Sequence, residues 1–154
     1  SRLRLPETAR VVTDQAAATW VLTTAAADPD KIARLNERGV AVHLMPADPD
    51  GRVDLIAVST FLGQAAFNEV LVEAGPTLNR ALLAAGLVDR WLHYLAPKAL
   101  GGDALPLVAP LNLTHVADAP QWRIDSVRRL GEDLRLELVP TATAPGFTPT
   151  EQTS

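Results

Sequence analysis

The feature that most constrains this chain is the stretch Glu69 to Leu83, EVLVEAGPTLNRALL, in which a short apolar run meets a helix at a Gly-Pro corner. Val70, Leu71 and Val72 form a β-branched-rich run too short for a helix, so the pattern predicts a buried strand that Glu73 ends. Pro76 suits the first turn of a helix, where its missing N–H has no intrahelical acceptor to lose. Leu78, Leu82 and Leu83 then continue at helical spacing until Gly86. A helix starting there points free N–H groups at the strand end. Gly75 has no Cβ to hold a ligand off, so a phosphate is expected against Gly75 to Thr77, held by backbone donors and the helix dipole. The same residues also suit an ordinary strand-to-helix corner, and the stretch alone does not separate the two readings.

The rest of the chain supplies an α/β context for that corner. Arg10 to Asp14 and Thr19 to Thr23 read as short strands. Asp28, Pro29 and Asp30 start a helix that Ile32 and Leu35 carry to a stop at Gly39, and Val40 to Met45 follows as a strand. Ala47 to Arg52 is a loop, and Leu55 to Asn68 reads as a further helix. Alternating strands and helices predict an α/β layer with some parallel pairing and right-handed crossovers. Beyond Gly86, Arg90 to Pro97 reads as a strand and Lys98 to Asp118 as an irregular piece. Gln121 to Arg128 and Asp133 to Val139 read as a hairpin turning through Arg129 to Glu132, centred on Gly131. Leu134, Leu136 and Leu138 alternate with Arg135 and Glu137, which predicts one face in water. The reading gives one domain over residues 1–140 and a disordered tail from Thr141.

A net charge of −4, without a lysine or arginine cluster, argues against a nucleic-acid surface. Zero cysteines exclude disulfides and thiolate-held zinc, and make a reducing cytoplasm the expected setting. No apolar run is long enough for a membrane span, and the first residues do not read as a signal peptide. His43, His93 and His115 have no metal-ligand spacing and read as structural, so no metal is expected. Lys98 reads as solvated, Thr23 and Thr24 as strand-end turn residues, and Trp20, Trp91 and Trp122 as core or interface residues.

From Val70 to Leu107 the chain resembles the reductase domain of the bifunctional riboflavin biosynthesis deaminase/reductase. The resemblance is carried by Glu-Ala-Gly-Pro-Thr-Leu, by the Gly-Leu-Val-Asp that closes the helix, and by Ala-Pro-Lys-x-Leu-Gly after the next strand. Ser1 to Pro6 and the closing hairpin fit the same family, so all but the tail is covered. The resemblance implies a dihydrofolate-reductase-like α/β/α fold around a mixed, mostly parallel sheet, with NADPH across the carboxyl ends of parallel strands. It implies reduction of the ribosyl group of 5-amino-6-(5-phosphoribosylamino)uracil to a ribityl chain. Glu73 matches the family's substrate-contacting glutamate. Gly75, Pro76, Thr77, Leu78, Asn79, Arg80 and Ala81 match its cofactor stretch, and Ser1 matches a serine on the NADPH phosphate side; no catalytic residue is assigned. A homodimer is the expected assembly.

The family's Ser-Leu-Asp-Gly-like and Gly-x-x-Thr-x-x-x-Asp-Asp-Pro-like segments, and its zinc deaminase domain, are not found in these residues. The expectation is therefore a carboxyl-terminal portion of the reductase domain, with interior strands and half of the pocket lying before Ser1. Two further readings stand beside the reductase: a non-catalytic assembly module on the same scaffold, and a reductase of the same fold with another substrate.

Overall fold

The computed structural model describes residues 2–14 and 16–141; Ser1, Gln15 and the tail after Thr141 lie outside them. The chain divides into two compact units, Ser1–Val70 and Leu71–Ser154.

The first unit is built on a β-α-β crossover. After a single helical turn, α1 (Arg10–Thr13), strand β1 (Thr19–Thr23) pairs in parallel with β2 (Val40–Leu44), and helix α2 (Pro29–Glu37) connects the two strands. Asp28 starts α2 by accepting the Asp30 N–H at 3.0 Å. Gly39 ends it at φ 80°, a left-handed conformation that a side chain resists. The core gathers Leu3, Val12, Ala27, Leu35 and Val40, with Val21, Ile32 and Val42 packed against it. The expected strand at Arg10 to Asp14 is instead that single turn. The Ala9 carbonyl accepts from Val12 and Thr13 at 2.8 and 3.1 Å, and the turn buries Val12 while leaving Val11 in water.

Helix α3 (Leu55–Gln64) is capped by Asp54, which accepts from Ile56 and Ala57 at 2.8 and 3.2 Å. It stops short of the expected Asn68 because Ala66 turns to φ 63°, and the Phe67 N–H closes the end on the Leu62 carbonyl at 3.1 Å. Trp20 meets His43, Phe61 and Phe67, and His43 meets Phe61, with ring centroids 4.8 to 5.7 Å apart. Trp20 nevertheless remains 41% exposed, so it is less buried than a core role predicts.

The second unit holds helix α4 (Pro76–Ala84), strand β3 (Trp91–Leu95) and the hairpin of β4 (Trp122–Leu130) and β5 (Asp133–Pro140). These strands form an antiparallel sheet in the order β3-β5-β4. The hairpin loop is only Gly131 and Glu132, shorter than expected, with Gly131 at φ 64° in the first loop position where a tight turn requires a positive φ. Mixed α/β character and the closing hairpin are as expected, but the strands stand in two sheets. The water-facing side of β5 is also not as the alternation predicts: Glu137 is 9% exposed and Leu134 36%. Arg90 and Arg135 pair with the Glu137 carboxylate, and Ser126 donates to it at 3.2 Å, so the nearly buried charge is paired, although Arg90 itself stays largely exposed.

Val70 to Val72 belongs to neither sheet. These residues are 51%, 76% and 48% exposed, and no strand among the described residues pairs with them. A strand exists only with a neighbour to bond to, which an apolar run does not itself supply.

Candidate functional site at the head of helix α4

Helix α4 begins as the Gly-Pro signal predicts. Gly75 is the N-cap at φ −81° and ψ 173°, and Pro76 opens the first turn. Gly75 offers no side-chain cap, unlike Asp28 and Asp54 at the heads of α2 and α3. The first intrahelical bond runs from the Asn79 N–H to the Gly75 carbonyl at 3.1 Å, so the N–H groups of Thr77 and Leu78 have no acceptor within the helix. The helix has no acidic residue in its first turn, so no carboxylate of its own competes for that positive end.

Glycine at position 75 is not demanded by the backbone, since its φ is ordinary for any residue. A Cβ built there meets nothing within 4 Å. The missing side chain therefore widens an open approach to the helix head. Glu73 and Thr77 are exposed beside that approach, and Leu78 is 42% exposed.

Asn79, Arg80 and Ala81 are half-buried. The Asn79 amide donates to the Ala74 carbonyl at 3.3 Å and to the Leu107 carbonyl at 2.9 Å, and the Ala109 N–H donates to the Pro76 carbonyl at 3.1 Å. A strap from the irregular segment is thereby fixed against the helix head. The sequence carried no signal for it, because both acceptors are backbone carbonyls that any residue provides. Arg80 Nε is buried without an acceptor, a donor that an anion would satisfy.

Of the residues expected at the site, Gly75 to Ala81 form the N-cap and first turns of α4, Glu73 lies two residues before that cap, and Ser1 lies outside the described residues. Thr23 and Thr24 are buried in the first unit, at 1% and 2% exposure. Lys98 is exposed, His93 stacks on Trp91 at 5.8 Å, and His43 sits among the rings of the first unit.

The RibD C-terminal domain family matches residues 1–136. The riboflavin biosynthesis protein RibD of Bacillus amyloliquefaciens is 31% identical over 141 residues, covering 91% of this chain and 37% of that protein. A protein of Buchnera aphidicola named 5-amino-6-(5-phosphoribosylamino)uracil reductase is 33% identical over 98 residues, covering 64% of this chain and 47% of its own length. Among solved structures, Acinetobacter baumannii RibD superposes with a TM-score of 0.72 at 28% identity, over 91% of this chain and 36% of that one. The chain thus spans less than half the length of each of these relatives.

Proposed function

The chain belongs to the RibD C-terminal domain family, and from that premise we propose that it carries out, or forms part of the domain that carries out, NADPH-dependent reduction of 5-amino-6-(5-phosphoribosylamino)uracil. The observation that carries this reading is the uncapped head of α4, with open space where a Gly75 side chain would stand. A relative of 33% identity bears the name of that reductase.

The residues present fit a phosphate-bearing cofactor. Backbone N–H groups of Gly75, Thr77 and Leu78 would hold its phosphate side, aided by the dipole of α4, and Arg80 Nε is an unsatisfied donor on the same helix. NADPH, when bound, supplies the hydride that reduces the ribosyl C1′ in its open imine form. The chain's own work is placement. Pro76 and Gly75 hold the helix head open, Asn79 and Ala81 build its inner side, Leu78 presents an apolar edge, and the Glu73 carboxylate accepts from substrate hydroxyl or amino groups. Ser1 belongs to the phosphate side in this proposal through the family match alone.

The finer architecture, a dihydrofolate-reductase-like three-layer fold around one mixed, mostly parallel sheet, is supported by the likeness to Acinetobacter baumannii RibD. No described helix is long and apolar enough to cross a membrane. A cytoplasmic setting belongs to the same reading and is compatible with the absence of cysteine. A homodimer, or further polypeptide of the same domain, would cover the exposed Val70 to Val72.

Glu73→Ala tests the reading. Loss of NADPH oxidation with the pyrimidine substrate, at unchanged NADPH affinity, is expected; unchanged turnover removes Glu73 from the substrate site. Mixing the chain with the segments that precede it in its relatives is expected to raise turnover, and full turnover by the chain alone would show that those segments are not needed.

A further inference from the structure

The strap at Leu107 to Ala109 lies in a stretch without regular structure, yet two hydrogen bonds fix it to the head of α4. Asn79 Nδ2 donates to the Leu107 carbonyl at 2.9 Å and to the Ala74 carbonyl at 3.3 Å. Ala109 N–H donates to the Pro76 carbonyl at 3.1 Å. Because both partners of the Asn79 side chain are carbonyl oxygens, its amino end must face them, and both of its N–H groups are then taken.

One of those bonds sets the direction of a neighbouring donor. In a trans peptide the carbonyl and the following N–H point to opposite sides. Holding the Ala74 carbonyl on Asn79 therefore turns the Gly75 N–H away from Asn79, and no cis peptide interrupts the corner. We infer that Asn79 is a positioning residue: it aims the Gly75 N–H and anchors the strap, instead of contacting the nucleotide with its own side chain. The inference rests on the cofactor reading of this corner.

Asn79→Ala and Asn79→Asp test it, the second placing a carboxylate against two carbonyl oxygens. Without NADPH, amide exchange at Ala109, whose N–H is bonded to the Pro76 carbonyl, is expected to quicken roughly fivefold to tenfold in Asn79→Ala, the factor that one net hydrogen bond represents, and further in Asn79→Asp. NADPH Kd and KM are expected to weaken by a similar factor, with kcat at saturating NADPH retained. Weaker binding with unchanged exchange in the free protein would make Asn79 a direct contact and overturn the inference. Faster exchange with unchanged NADPH affinity would overturn it too, by detaching the strap from the site. If the unsubstituted protein binds no NADPH, the cofactor reading falls and takes this inference with it, an outcome distinguished by the wild-type titration itself.

Discussion

At residue 75 a glycine stands where the backbone does not require one. Glycines commonly serve a positive φ, and Gly39, Gly86 and Gly131 do so here, whereas Gly75 sits at φ −81° with open space around the position of a Cβ. Gly75→Ala is therefore expected to leave the thermal midpoint within about a degree or two, since no strain or clash is introduced and the entropy gained by removing a glycine is offset by alanine's poorer N-capping. NADPH affinity should nevertheless fall about tenfold or more as the methyl group meets the phosphate. A thermal melt and a titration on one sample check both halves. Ala66 is the converse case. It occupies the left-handed position after α3 that Gly86 fills after α4, so Ala66→Gly is expected to stabilise the chain by about 1 kcal/mol in denaturant unfolding. Glu7 contributes on the acid side. Its hydrogen bond from Arg34, at 2.8 Å, is the main cause holding its carboxyl below the ordinary value of 4.5. A lowered folded pKa means its contribution is present above the unfolded value and lost as pH falls through the folded one. Glu7→Gln should thus flatten the loss of thermal stability on acidification below pH 4.5, with little further change nearer neutrality.

At the scale of elements, what the sequence made legible was local. Helices α2 and α4 announce themselves by Asp28 and the Gly75-Pro76 pair at their heads and by glycines at their ends, and α3 by its apolar spacing, which does not reveal its Asp54 cap. Strands β1, β2, β3 and the hairpin fall where alternating or β-branched runs lie. What escaped reading was non-local. Val70 to Val72 has strand composition without a strand partner among the described residues, and Arg10 to Thr13 forms a turn closed on the Ala9 carbonyl. Glu137 is paired with Arg90, far away in sequence, which the strand alternation does not reveal. The candidate corner was legible as far as its helix head, but not the strap that Asn79 fixes to it. The Glu137 cluster carries its own prediction. Glu137→Leu removes the shared acceptor of two arginines and a serine, and because Arg90 is largely exposed the loss should be modest, roughly 1–2 kcal/mol. A chemical denaturation midpoint measures it.

Over the whole molecule, apolar surface is unevenly used. The hydrophobic core cluster lies wholly in the first unit, while Leu71, Leu100, Leu105 and Val116 of the second are 75% to 88% exposed. Apolar surface on that scale ordinarily meets a partner, so the isolated chain is expected to bind a hydrophobic dye or to self-associate with rising concentration. Sedimentation at several concentrations distinguishes this from a well-behaved monomer. The family gives that surface a context, since the chain spans only 37% of one RibD relative and 36% of another. The central claim nevertheless concerns one corner, and an NADPH titration followed by backbone amide resonances tests it most directly. Saturable shifts largest at Gly75, Thr77 and Leu78 are predicted. Saturable shifts centred elsewhere, with these three amides unmoved, would contradict the assignment of the α4 head to the cofactor.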